Sequence, residues 1–348
     1  MKPDTDRSGR YQPRIDLNGA TVLITGGSGS FGRHFVRAVL KHWRPERLIV
    51  FSRDEMKQYE MQGDPTIGAG DPMRYFIGDV RDSDRLEMAM RGVDYVIHAA
   101  ALKQVPTAEY NPFECIRTNV LGAENVVKAA LRTGVKRVVA LSTDKAVNPI
   151  NLYGASKLAS DKIFVAANHL SGRAGAHFCV VRYGNVLGSR GSVVPLFRTL
   201  AATGAGDVPI TDPRMTRFWI TLDQGVDFVL SALAAMQAGE IFVPKIPSVL
   251  ITDLAEAMLP GRVQRTVGIR PGEKLHEVMV TEDDARTTVE LEDRFVIEPS
   301  LTFWRSESLA DRGAKRVAEG FRYASDTNPE WLDAVSLRRV LIENGLLA

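Results

Sequence analysis

A chain of 348 residues with 45% hydrophobic side chains can hold one large α/β domain and a smaller appended portion. Lys and Arg (44) nearly balance Asp and Glu (42), and a net charge of +2 excludes the basic field of a nucleic-acid binder. Two cysteines, Cys115 and Cys179, exclude a disulfide framework and suit a reducing cytoplasm, and the longest uncharged apolar-rich run, Phe228 to Gly239, is shorter than the roughly 20 residues that cross a bilayer.

The N-terminal tail, residues 1–18, is charged and lacks the apolar segment of a signal peptide, so a soluble protein is expected. The first ordered element is a strand at Thr21–Ile24, followed at once by Thr25-Gly26-Gly27-Ser28-Gly29-Ser30-Phe31-Gly32 and an amphipathic helix from Arg33 to His42. The loop satisfies both GxGxxG and GxxGxxG. Glycines there permit a tight turn and let the backbone approach a pyrophosphate at a helix N-terminus, whose free N–H groups favour anions. A strand before and a helix after make it a dinucleotide site rather than a bare turn, with Gly26, Gly29, Ser30, Phe31 and Gly32 as its contacts. A second strand, Arg47–Phe51, ends at Ser52-Arg53-Asp54, where the adenosine ribose is read. Arg53 offers a guanidinium fork for a 2′-phosphate and Lys57 a second charge one helical turn on, which argues for NADP; Asp54 keeps NAD open.

The following stretch, with Gly63, Asp64, Pro65, Gly68 and Gly70, reads as a loop. Arg74–Val80 reads as a third strand, with Asp79 and Val80 at its end and Asp79 placed to accept from the adenine amino group. A helix from Ser83 to Arg91 leads to the strand Tyr95–His98, whose histidine reads as a hydrogen-bonded core residue. Small side chains at Ala99-Ala100-Ala101 leave room for a cofactor against the backbone, and Lys103 is placed to reach a substrate. A helical pattern beginning at Asn119 returns to a buried strand at Val138–Leu141. Strands and helices alternate without a break, which implies a Rossmann-type doubly wound parallel sheet with helices on both faces.

The stretch Leu141 to Lys157 concentrates the chemistry. Thr143, Asp144 and Lys145 fall at the carboxyl end of a buried strand, where open α/β sheets place their ligands. Tyr153 and Lys157, four residues apart, share one helix face, so the ammonium is expected to pull the phenol pKa down from about 10 and make Tyr153 a base for a hydroxyl. Further on, Cys179–Tyr183 is another buried strand, and Asn185 serves either a substrate or a turn. Pro209–Trp219 reads as a polar loop carrying Arg214 and Arg217, and Gln237–Pro260 as part of the smaller portion. Phe303, Trp304, Phe321, Tyr323, Trp331 and Leu332 are spaced to dock on a neighbouring surface.

TGGSGSFG, SRDE, GDVRD, HAAALKQVP, STDKAVNPINLYGASK and RYGNVLGSRGSVVPLF together resemble an extended short-chain dehydrogenase/reductase, specifically the inverting UDP-N-acetylglucosamine 4,6-dehydratases that begin pseudaminic acid biosynthesis. The resemblance runs from about Thr21 to the C-terminal YASDTNPEWL. The short gap between Thr143-Asp144-Lys145 and Tyr153 is its more specific mark, and Lys145 stands where dTDP-glucose 4,6-dehydratases carry a glutamate.

The resemblance implies an NADP-binding Rossmann domain over residues 19–185 holding the catalytic residues, and a mainly substrate-binding portion over 186–348 with some chain returning to the Rossmann domain. It implies a cytoplasmic homo-oligomer, dimer-based and up to a hexamer, acting on UDP-N-acetylglucosamine. No nucleic acid, membrane or metal is expected. Arg270-Pro271-Gly272-Glu273-Lys274 resembles the family's nucleotide-binding RPGEK, which assigns the nucleotide to Arg270, Glu273 and Arg217, not to Arg214. Tyr153, assisted by Lys157, is expected to take the C4 hydroxyl proton while hydride passes to NADP+. Lys145, its pKa depressed by burial and positive neighbours, then takes the C5 proton; Asp144 protonates the leaving C6 hydroxyl and Thr143 orients the sugar. A 4-epimerase, a retaining dehydratase or a plain oxidoreductase shares the glycine loop, Tyr153 and Lys157, and an NADP-binding regulator needs only the loop, so these readings stay open.

Overall fold

The computed structural model describes residues 11–172, 175–189, 192–204, 206–301 and 307–347; the charged tail up to Arg10, and Phe303 and Trp304, lie outside the described residues. Largely buried runs form the parallel strands β1 (Thr21–Thr25), β2 (Arg47–Ser52), β4 (Tyr95–His98), β5 (Arg137–Thr143) and β6 (His177–Tyr183), and the less buried β3 (Met73–Ile77) lies at the edge. Between them run helices α1 (Ser30–His42), α2 (Glu55–Gln62), α3 (Ser83–Met90), α4 (Val105–Tyr110), α5 (Pro112–Ile116), α6 (Gly122–Thr133) and α7 (Leu152–Ser171). The chain continues through β7 (Asn185–Val186), α8 (Val193–Thr203), β8 (Val208–Ile210), β9 (Thr216–Ile220), α9 (Leu222–Ala235) and β10 (Ile241–Pro244). It ends with β11 (Ser248–Leu250), α10 (Ile251–Met258), β12 (Gln264–Thr266), β13 (Val278–Val280), α11 (Glu282–Ala285), β14 (Thr288–Glu290), β15 (Arg294–Ile297), β16 (Lys315–Arg316), β17 (Tyr323–Ala324) and α12 (Ala334–Glu343).

The main sheet has the order β16-β14-β15-β10-β6-β5-β4-β1-β2-β3. Pairing is parallel from β3 through to β10, and β15, β14 and β16 add antiparallel strands beyond it. Strand order reverses between β1 and β4, so the crevice outside their carboxyl ends is where a doubly wound sheet takes a ligand. The α/β expectation therefore holds. One large core lies on the main sheet. A second groups Phe197, Val208, Trp219, Leu254, Leu337 and Leu341 from α8, β8, β9, α10 and α12. Among the described residues no helix is long and apolar enough to cross a membrane.

Several local expectations need correction. α1 begins at Ser30 rather than Arg33, β3 stops at Ile77 before Asp79 and Val80, and the helix expected from Asn119 opens with a π-helical turn over Arg117–Leu121. Pro209–Trp219 is not a loop: it supplies part of β8 and most of β9, the latter wholly buried. The segment Gln237–Pro260 does not lie wholly in the smaller portion, because β10 pairs parallel with β6, Ile241 beside Val180, and extends the main sheet. Of the described tail residues, Phe321 and Tyr323 both meet Phe295 at 5.0 Å and Leu332 joins the second core, whereas Trp331 stays exposed.

One contact fixes the sheet's ligand end. The Asn151 side chain caps α7 by accepting the Gly154 N–H at 2.8 Å, and a Cβ on Gly154 would stand 2.1 Å from the Lys145 carbonyl oxygen. Only glycine lets the first turn of α7 press against the turn that follows β5. Gly154→Ala is expected to cost about 1–3 kcal/mol as overpacking. Urea unfolding checks this, and wild-type stability would show that the two turns separate without penalty.

Candidate active site

The crevice between β1 and β4 is shaped by close backbone approach and a helix N-terminus. Gly26 has a φ of +66°, and its missing Cβ would stand 2.9 Å from the Ala100 backbone, while one on Gly32 would stand 2.3 Å from the Gly27 carbonyl oxygen. The N-cap of α1 is Gly29, without a side chain to cap it, and no acidic residue follows in the first turn, which opens at Ser30 and Phe31. The helix N-terminus is left to accept negative charge. Thr25 Oγ1 ties the two strand ends together, accepting the Ala99 and Ala100 N–H groups at 3.2 Å and meeting His98 Nδ1 at 2.8 Å. Burial, with the Lys157 charge, pushes the His98 imidazole down to about 3, so it stays a neutral core residue as expected.

Along the same edge Arg53 is half exposed and lies 3.6 Å from Asp79. Burial opposes charge on Asp79, but hydrogen bonds from Arg81 and the charges of Arg81 and Arg53 hold its carboxyl below the ordinary range. Asp54 is taken up by α2, whose N-terminus it caps through the Lys57 N–H at 3.0 Å, and it also pairs with the Lys57 ammonium. Val80 is buried, with its side chain under Gly122.

At the end of β5 the predicted residues come together. Asp144 is fully buried; its Oδ1 accepts from Thr143 Oγ1 at 2.8 Å and from Lys145 Nζ at 3.0 Å. Its Oδ2 is buried without a hydrogen-bond partner among the described residues. Lys145 Nζ also donates to Asn185 Oδ1 on β7 at 3.2 Å. Tyr153, Lys157 and Thr143 are all at least nine-tenths buried beside them. Beneath Lys157, Asp161 accepts from Ser142 Oγ at 2.8 Å and faces Arg182 at 3.8 Å.

Two electrostatic expectations fail. Burial pushes the Tyr153 phenol up to about 12, and the cation that pulls it down is Lys145, helped by a Thr143 hydrogen bond, not Lys157. Lys145 is held above rather than below its ordinary range: burial opposes its charge, but Asp144 and Glu277 outweigh it. Lys157 does go down, because burial exceeds the attraction of Asp161.

The substrate-side candidates divide. Arg217 is buried on β9 with its guanidinium committed to the carbonyls of Thr216 (2.7 Å), Leu275 (3.1 Å) and Lys274 (2.9 Å). Arg270 is exposed, 3.7 Å from Glu273, whose Oε2 is buried without a hydrogen-bond partner among the described residues. Lys103 sits at the rim, where burial and the Lys145 charge lower its pKa. Arg214 is exposed and paired with Asp212 at 2.8 Å. Sequence reasoning missed Asn119, whose Nδ2 donates to Leu102 O (2.9 Å) and Ser156 Oγ (2.9 Å), joining the segment before Lys103 to α7. It also missed Glu277, just ahead of β13. Neither carries a local motif.

A sequence model described as "polysaccharide biosynthesis protein" matches residues 22–299. The chain belongs to that family. It is 54% identical over 331 residues to a Campylobacter jejuni protein named UDP-N-acetylglucosamine 4,6-dehydratase (inverting), covering 93% of this chain and 98% of the relative. A Rickettsia akari protein named UDP-glucose 4-epimerase is 46% identical, covering 92% and 95%. Among solved structures, Pen from Bacillus thuringiensis superposes with a TM-score of 0.86 at 36% identity, over 96% of this chain and 100% of that one. A dTDP-glucose 4,6-dehydratase from Streptomyces venezuelae, solved with NAD bound, gives 0.65 at 27% identity over 73% and 86%.

Proposed function

We propose that this family member is an inverting UDP-N-acetylglucosamine 4,6-dehydratase, a hydro-lyase that uses NADP. The observation that carries the reading is the ion pair of the partly exposed Lys145 with the fully buried Asp144 beside Tyr153: an acid and base for elimination next to a base for the redox step. A 4-epimerase needs only the redox part. The name of the Campylobacter relative supports the same choice.

The residues fit a dinucleotide, since Gly26 and Gly32 let the loop close tightly on its own backbone and on Ala100, and the α1 N-terminus carries no side-chain cap or acidic residue that would oppose a pyrophosphate. Gly26, Gly29, Ser30, Phe31 and Gly32 would hold that pyrophosphate, and Arg53 and Lys57 a 2′-phosphate. Asp79, Val80, Ala99 and Ala100 would flank the adenosine and ribose, and Tyr153 and Lys157 the nicotinamide ribose. When bound, the dinucleotide supplies hydride chemistry, removal from C4 and return to C6.

Tyr153 acts as the phenolate, having released its own proton to solvent, and receives the C4 hydroxyl proton, with the Lys145 charge lowering the cost of the phenolate. The resulting ketone acidifies C5. Lys145 starts as an ammonium, and the hydrogen bond to Asp144 gives its proton an outlet. Transfer along that 3.0 Å contact yields a neutral amine and a carboxylic acid, and burial favours it by removing two charges together. The amine then takes the C5 proton and the acid protonates the departing C6 hydroxyl, which restores both charges and releases water. Thr143 and Asn185 orient the sugar and the ammonium; Lys103, Arg217, Arg270 and Glu273 hold the nucleotide side. Reprotonation of C5 from the other face gives UDP-2-acetamido-2,6-dideoxy-β-L-arabino-hex-4-ulose, the first intermediate of pseudaminic acid synthesis. The exposed Tyr110 (87%) and Phe113 (77%) on α4 and α5 support a homo-oligomer.

Incubation with UDP-N-acetylglucosamine, followed by NMR, should yield the 4-keto-6-deoxy sugar with inverted C5, and Tyr153→Phe should lose roughly 10²–10⁴-fold in rate while still binding the dinucleotide. Accumulation of the C4 epimer would replace this reading with an epimerase. Arg53→Ala should weaken NADP about tenfold more than NAD, because only NADP carries the phosphate a guanidinium clamps; equal loss in a titration of both would make Arg53 structural.

A further inference from the structure

Lys145 has a second carboxylate neighbour that no motif points to. Glu277 is 2% exposed, and its Oε1 lies 3.6 Å from Lys145 Nζ and 3.8 Å from Arg217 Nε. Its Oε2 lies 3.8 Å from Lys274 Nζ and has no hydrogen-bond partner among the described residues. Its backbone is pinned as well: the Glu277 N–H donates to Ser325 Oγ at 2.9 Å and its carbonyl accepts the Ser325 N–H at 2.8 Å. The carboxylate is thus fixed by the residues next to β13 and β17, far in sequence from β5, and is a second carboxylate near the ammonium, at 3.6 Å, besides Asp144 at 3.0 Å.

We propose that Glu277 is a positioning residue for Lys145, holding its ammonium between Asp144 and Asn185 and setting how readily it gives up its proton. The contact distances are too long for hydrogen bonds, so the influence is that of a buried charge at close range, where it is screened least. The charged and titratable groups around Lys145 are Asp144 on its own turn, Tyr153 on α7, Lys103 at the rim, Arg217 on β9, and Lys274 with Glu277 before β13. Arg217, Lys103 and Lys274 favour the free amine; among the described residues Asp144 and Glu277 favour the ammonium. Asp144 is the immediate proton acceptor, and Glu277 cannot share that proton at 3.6 Å. Its effect is therefore to keep the lysine charged and aimed until the proton moves to Asp144. Arg217 and Lys274 tie the same carboxylate to the Arg270–Lys274 segment, so the nucleotide side and Lys145 are held through one group.

This inference rests on the dehydratase reading for its catalytic meaning, but its test needs no sugar. Amines react with acylating reagents only when unprotonated, so the rate of acylation of Lys145 against pH, followed by mass spectrometry of its peptide, reports its proton affinity. In Glu277→Gln that rate, read at a fixed pH below the midpoint, should rise about tenfold, the equivalent of one pKa unit. Glu277→Asp, which withdraws the carboxylate by one methylene, should move the rate the same way by about threefold, and it serves where the glutamine variant does not fold. With UDP-N-acetylglucosamine the folded variant should also lose kcat with KM within about twofold, and the basic limb of its pH profile should move to lower pH. Unchanged acylation of Lys145 in a folded variant would overturn the proposal. Failure of the wild type to form any 6-deoxy sugar would overturn the dehydratase reading and leave the acylation result standing.

Discussion

The ion pair between the fully buried Asp144 and the partly exposed Lys145 is the interaction on which the rest of the structure turns. Taking two charges out of water costs several kcal/mol per ion, and removing one partner of such a pair typically costs about 3–5 kcal/mol because it strands the other. A pair of this kind adds little stability and persists only where its surroundings fix it. Here those surroundings come from four places: the end of β5, the first turn of α7 pressed onto the Lys145 carbonyl, Asn185 on β7, and Glu277 before β13. The large parallel sheet supplies the frame, and the chain beyond β6 supplies the walls.

In the proposed dehydratase the same cluster would carry both halves of an elimination. Tyr153 and Lys157 lie on α7, beside the crevice that fits a dinucleotide. Asp144 and Lys145 sit on the turn that α7 covers, within a few ångströms of each other. Because the lysine rests as an ammonium hydrogen-bonded to the aspartate, a single proton shift inside the pair creates the base and the acid together. High proton affinity in the resting site is then compatible with Lys145 acting as a base.

Much of the fold was legible because its signals are local. The β1–loop–α1 unit shows itself in a buried run, four glycines at fixed spacing and an amphipathic helix, and β2, β4, β5 and β6 in runs of aliphatic residues bounded by turns. Asp144, Lys145, Tyr153 and Lys157 fall within one short stretch, so their meeting could be read before any coordinates. What was hidden depends on distant pairing. β10 joins β6 across some sixty residues, and nothing in Ile241–Pro244 tells which sheet it enters. Arg217 reads as a loop cation, whereas β9 buries it against carbonyls of the Lys274–Leu275 segment. The signs of the pKa shifts at Tyr153 and Lys145 depend on folding too: Glu277 reaches Lys145 from 132 positions along the chain, and burial raises Tyr153 against the pull of Lys145, not of the helix neighbour Lys157.

The central claim is that Lys145 moves the C5 proton of a bound sugar, and heavy water tests it most directly. With UDP-N-acetylglucosamine in D2O, the account predicts that the wild-type product carries deuterium at C5, since the original proton is lost to Lys145 and its replacement comes from solvent-exchangeable hydrogen on the other face, and that Lys145→Ala neither exchanges C5 nor releases water. A dehydrated product with ordinary hydrogen at C5, or full C5 exchange by Lys145→Ala, would contradict it.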